Sequence, residues 1–156
     1  MKWHVHWPAA VLALIGLVFF AADRLTRTPT VVHAVPGREI EIPVARDGHY
    51  YLEGSVNGVP ITFMIDTGAT YVSVSGKFAV AARLPEGVKG FFSTANGSVE
   101  GSIVKDQEVV AEGFRITGLS VAVTPLGSKQ GLLGQNFLKR FEVSQAQGVM
   151  RLKLAQ

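Results

Sequence analysis

Asp66 stands where an acid is costly. It follows residues 61–65 (ITFMI), the most apolar strand-like run in the body of this 156-residue chain, and it opens the string Asp66-Thr67-Gly68-Ala69-Thr70. In an extended run Phe63 and Ile65 share one face and Met64 takes the other. This predicts a strand buried on both sides whose carboxyl end delivers Asp66 to the rim of the core. A carboxylate there needs hydrogen bonds. The Thr67 hydroxyl stands beside it, and Gly68, having no side chain, lets backbone N–H groups reach its oxygens. A carboxylate so held can take a proton from water as a general base. The structural alternative is an Asx-turn, in which the acid only caps the turn after the strand.

The remaining inventory narrows the chemistry. With no Cys in the chain, structural disulfides, thiolate zinc sites, iron–sulfur clusters and cysteine nucleophiles are excluded. Asp23 lies in linker-like sequence, Asp47 precedes Gly48 and Asp106 precedes Gln107, so none of these three follows an apolar strand. His4 and His6 have no further ligands beside them and read as flanking residues, which leaves no metal site and no cofactor expected. The 15 Lys and Arg stand singly or in the pair Lys139-Arg140. That is a soluble surface rather than a nucleic-acid footprint.

The elements that must position Asp66 are mostly strands. Alternation marks residues 40–45 (IEIPVA), 49–57 (HYYLEGSVN) and 59–66 (VPITFMID), with further strands at 91–94, 98–105, 107–111, 115–124, 142–146 and 149–154. Asn57-Gly58 and Asn96-Gly97 each separate two such runs and match the positive φ angles of a type I′ hairpin turn. Short helices are expected at 77–83, ended by Pro85, and at 135–140, preceded by Gly134. A second feature lies about 65 residues after the acid, the string Gly131-Leu132-Leu133-Gly134-Gln135-Asn136-Phe137-Leu138. Read alone, it is a helix start set against a core.

Ahead of this body, residues 8–22 (PAAVLALIGLVFFAA) carry no charge and no polar side chain. A helix starting at Trp3 reaches about 30 Å by Ala22, the thickness of a hydrocarbon core, with Trp3 and Trp7 near one interface. A cleaved signal peptide is the competing reading, but Phe19 and Phe20 stand where its cleavage site wants a small residue. Lys2 faces Arg24 and Arg27 across the segment, so charge leaves the orientation open. Residues 23–36 (DRLTRTPTVVHAVP) have linker composition. The expected organisation is therefore an amino-terminal membrane anchor at 1–22, a linker at 23–36 and one folded domain at 37–156.

In order, the strand ending in Asp-Thr-Gly-Ala-Thr, a Gly-tipped hairpin at 91–104, the Leu-Leu-Gly turn, a short helix and a closing hairpin resemble the retropepsin-like aspartic proteases over residues 40–154. The anchored arrangement resembles the single-domain, membrane-anchored bacterial members. The resemblance implies an all-β fold, a closed barrel with a flap hairpin and one or two short helices, after a transmembrane helix. It makes Asp66 catalytic and Thr67 the hydroxyl that locks two active-site loops together across a homodimer. Gly68, Ala69 and Thr70 complete the active-site loop, and Leu132, Leu133 and Gly134 are the apolar-apolar-Gly support beneath it. Ser93, Thr94, Ala95, Asn96 and Gly97 fall on the flap that closes over substrate. Many retroviral members carry Asp where this chain has Thr70, so a charged contact at that place is not carried over. The implied activity is peptide hydrolysis by a water between two Asp66 carboxylates, one from each subunit. The implied partners are a second copy, a peptide or protein substrate, and the inner membrane through residues 3–22, with the protease domain on the periplasmic side. The rival reading is a membrane-tethered β-domain that binds a peptide or partner without cleaving it. The apolar stretch 30–36 (TVVHAVP) is the expected site of self-processing.

Overall fold

The computed structural model describes residues 31–33, 38–94, 97–125 and 130–155. The apolar run, the anchor read from it, His4 and His6 lie outside these residues. Among the described residues no helix is long and apolar enough to cross a membrane.

Period-two alternation builds the strands β1 (Val31–His33), β2 (Glu39–Pro43), β3 (Tyr51–Val56), β4 (Val59–Ile65), β5 (Val72–Ser75), β6 (Val88–Thr94), β7 (Gly97–Ala111), β8 (Phe114–Thr124), β9 (Gly131–Leu133), β10 (Phe141–Ala146) and β11 (Val149–Leu154). Two short helices, α1 (Gly76–Ala81) and α2 (Gln135–Leu138), follow β5 and β9. In β4 the side chains of Ile61, Phe63 and Ile65 are buried while Thr62 and Met64 are only half-covered. This corrects the expectation of burial on both faces. The second face looks outward, and there the Thr62 hydroxyl donates to the Glu53 carboxylate at 2.9 Å.

Six strands close on themselves in the order β8-β5-β9-β4-β3-β7, with β7 returning to pair with β8. Closure leaves no free edge within the ring. β1 adds to the outside of β8 and β6 to the outside of β7, while β10, β11 and β2 form a separate three-stranded sheet. Both layers share one core. Phe63, Phe114, Phe137, Leu133 and Leu152 are almost fully buried, and Phe141 meets Phe114 edge-on at 4.9 Å and stacks on Phe137 at 5.3 Å. Each such side chain contributes about 1.5–3 kcal/mol by leaving water, which makes the barrel a rigid mount for its loops.

The Asn57-Gly58 turn has φ angles of 49° and 80°, as the type I′ reading requires. Gly97 has φ 104°, while Ala95 and Asn96 lie outside the described residues. The expected strands 98–105 and 107–111 are one continuous β7, bulged between Val104 and Gln107 where Asp106 takes φ 62°. β5 and β9 were not expected as strands, because four and three residues carry too little alternation to read. Val31–His33, within the stretch of linker composition, pairs antiparallel with Thr117, Ile116 and Arg115 of β8. Cleavage within Val31–His33 would need that strand released from β8.

Candidate active site

β4 and β9 run parallel, with Met64 beside Leu132 and Ile65 beside Leu133. Parallel neighbours send their exits from the same end of the barrel. The loop from Asp66 to Tyr71 and the turn through Gly134 into α2 consequently meet. The Asp66 N–H donates to the Leu133 carbonyl at 3.2 Å, tying the acid to β9. The Gly68 N–H donates to Asp66 Oδ1 at 2.9 Å, and the Ala69 N–H to the Asp66 carbonyl at 3.2 Å. This is Asx-turn geometry, so the capping arrangement and a held carboxylate are the same structure here. The Thr67 hydroxyl does not supply the bond to Asp66 that its position beside the acid suggested. It is exposed, and among the described residues it bonds neither Asp66 nor any other group.

From below, the loop is gripped by the first turn of α2. The Gln135 N–H donates to the Ala69 carbonyl at 2.8 Å and the Asn136 N–H to the Thr70 carbonyl at 3.0 Å. Gln135 Nε2 donates to the Thr67 carbonyl at 2.9 Å. Asn136 accepts from the Val72 N–H at 2.8 Å and donates to the Ser120 carbonyl at 2.7 Å, bridging β5 and β8. Gly134 is what allows this contact, since a Cβ there would lie 2.3 Å from the Tyr71 carbonyl oxygen and 2.8 Å from that of Ala69. Leu133 is fully buried beneath the loop, and half-buried Leu132 faces the cavity above it.

That cavity, about 630 Å³, separates the loop from the β6–β7 hairpin. Asp66, Gly68, Ala69 and Thr70 line one side, and Phe91, Phe92, Ser93 and Thr94 the other. Gly97 is in the hairpin but does not line the cavity, and at the tip the Thr94 hydroxyl donates to its carbonyl at 2.7 Å. Asp66 is the only carboxylate among the lining residues. Asp47 lies elsewhere, in the β2–β3 turn, where the Tyr51 hydroxyl and then the His49 N–H hold its carboxyl below the ordinary range. The structure thus assembles Asp66, Gly68, Ala69, Thr70, Leu132, Leu133 and Gly134 around one end of the barrel. Sequence reasoning missed Gln135, Asn136 and the cavity residues Tyr71, Ser73, Gly90, Phe91, Phe92, Ile103 and Thr124. Ser73 and the two amides carried no readable local signal: the four residues of β5 that hold Ser73 are too few for alternation to show, and the partners of the two amides are distant in sequence.

Residues 52–140 match the family described as "gag-polyprotein putative aspartyl protease". An uncharacterised protein of Rickettsia prowazekii is 32% identical over 108 residues, covering 65% of this chain and 46% of its own length. An uncharacterised protein of a Sinorhizobium species is 27% identical over 155 residues, covering 89% of this chain and 66% of its own length. The chain thus spans between about half and two thirds of these relatives. Among solved structures, a retropepsin-like aspartic protease from Rickettsia conorii superposes with a TM-score of 0.64 at 28% identity, covering 74% of this chain and 98% of that one. The EIAV protease complexed with the inhibitor HBY-793 superposes with a TM-score of 0.52 at 17% identity, covering 60% of this chain and 88% of that one, a likeness of fold. With the matched segment running from β3 through the loop of Asp66 to the end of α2, the chain belongs to the gag-type, retropepsin-like aspartyl protease family.

Proposed function

We propose that the protein is an aspartic endopeptidase that works as a homodimer. The observation that carries this reading is the single carboxylate of Asp66, held at the mouth of β4 by the Gly68 N–H and facing a cavity roofed by a hairpin. Hydrolysis by carboxylates requires two of them around one water, one ionised to take its proton and one protonated to donate to the carbonyl oxygen. A two-fold axis supplies the second by bringing Asp66 of another copy to the first. As is general for aspartic proteases, two carboxyl groups so close share one proton. Thr67, exposed and next to Asp66, is the hydroxyl we assign to locking the two loops across the axis. Substrate lies as an extended strand between the paired loops and the two hairpins, its alternate side chains entering the cavity. We place the protease domain on the periplasmic face of the inner membrane, tethered through residues 3–22. The tether is supported by the apolar run at residues 8–22, and the periplasmic face by the resemblance to membrane-anchored bacterial members.

The test is cleavage of a peptide library by the full-length protein in detergent micelles, with and without pepstatin. Pepstatin-sensitive cleavage is expected, and Asp66→Asn, which keeps shape but cannot ionise, should lower it by at least about a thousandfold while preserving the dimer. An Asp66→Asn variant that cleaves at the wild-type rate rules the assignment out. Absence of any cleavage by the wild type leaves the non-catalytic binding domain as the reading.

A further inference from the structure

The hydrogen bonds on Asp66 and on Gln135 meet in one peptide group. The carbonyl of Thr67 accepts from Gln135 Nε2 at 2.9 Å, and the N–H of Gly68 donates to Asp66 Oδ1 at 2.9 Å. That carbonyl and that N–H belong to the same peptide unit, which is planar. Turning it to loosen one bond turns the other with it. Donation to its oxygen also polarises the unit and strengthens its N–H as a donor. Gln135 is exposed, so its side chain is held at this place by the hydrogen bond rather than by packing. Asn136, by contrast, is half-buried and bridges β5 to β8, a bracing role in the fold.

We propose that Gln135 is a positioning residue for Asp66. Its side-chain amide sets the orientation of the Thr67–Gly68 peptide, and that peptide sets the carboxylate. The proposal rests on the reading of Asp66 as catalytic. The grip is neutral throughout. Thr70 and Gln135 carry no charge, β5 has no ionisable side chain, and β8 has only Arg115, which pairs with Glu108 at 2.6 Å. The ionisable groups close to position 135 along the chain or across the loop are Asp66, Tyr71, Lys139 and Arg140. Replacing the amide by a carboxyl therefore introduces a titration the wild type lacks at that carbonyl. In Gln135→Glu the protonated carboxyl donates to the Thr67 carbonyl, whereas the ionised one sets acceptor against acceptor.

The experiment is the pH dependence of kcat and KM for full-length wild type, Gln135→Glu, Gln135→Met and Gln135→Arg, with dimer content measured alongside. Gln135→Glu is expected to move the alkaline limb of kcat to lower pH. Near neutrality it should lose about tenfold in kcat, the size of one net hydrogen bond, with KM within about twofold. Gln135→Met keeps the length but removes the donor, so it should lose kcat at every pH without shifting the profile. Gln135→Arg restores a donor to the Thr67 carbonyl, so it should recover most of the kcat that Gln135→Met loses, while its positive charge near Asp66 moves both limbs of the profile to lower pH. Should the Gln135→Glu variant not fold, Gln135→Met and Gln135→Arg decide the matter by the same contrast. Wild-type kcat in both Gln135→Glu and Gln135→Met overturns the proposal, as does a loss explained wholly by dimer content. Inactive wild type, or active Asp66→Asn, overturns the protease reading instead.

Discussion

A hydroxyl in the cavity wall separates what residues do for stability from what they do for the site. Thr124 is 7% exposed, lines the cavity and has a buried Oγ1 without a partner among the described residues. A buried hydroxyl lacking its hydrogen bond costs about 1–3 kcal/mol. Thr124→Val keeps the shape and removes the oxygen, so it is expected to raise the free energy of unfolding by about 1 kcal/mol in urea titration; a fall of that size would reveal a bond to the hydroxyl. Residues of this kind are legible in a sequence to different degrees. Asp66 could be picked out because an acid directly after an apolar strand breaks the local pattern, and a broken pattern is visible within a few residues. Gln135 could not be, since its meaning comes from a carbonyl 68 positions away that only the β4–β9 pairing brings near.

At the scale of elements, the site depends on two exits from one end of the barrel being pressed together. Gly134 is the point of contact, and Gly134→Ala forces a Cβ to within 2.3 Å of the Tyr71 carbonyl oxygen. The loop must shift, since neither atom belongs to a flexible side-chain end. A loss of about 2–4 kcal/mol in stability is expected, together with loss of cleavage. Gly76→Ala is the control, because a Cβ there meets nothing within 4 Å. Equal melting temperatures for the two variants would contradict the packing described. Long strands such as β8 were readable because eleven residues repeat the alternation several times. β9 was not, since Gly-Leu-Leu ahead of a helix has the same composition whether it pairs as a strand or merely enters the helix.

At the scale of the molecule, the proposed mechanism needs two carboxylates around one water. Among the described residues the cavity holds one carboxylate, and Asp47 and Asp106 are committed to a turn and a bulge away from it. If a second copy completes the pair, as proposed, activity becomes a function of concentration. The direct test is specific activity across a dilution series, with sedimentation equilibrium on the same samples to give the dimer fraction. Specific activity is expected to fall in proportion to that fraction. Undiminished specific activity in a sample shown to be monomeric would contradict a catalytic pair built from Asp66 of two chains.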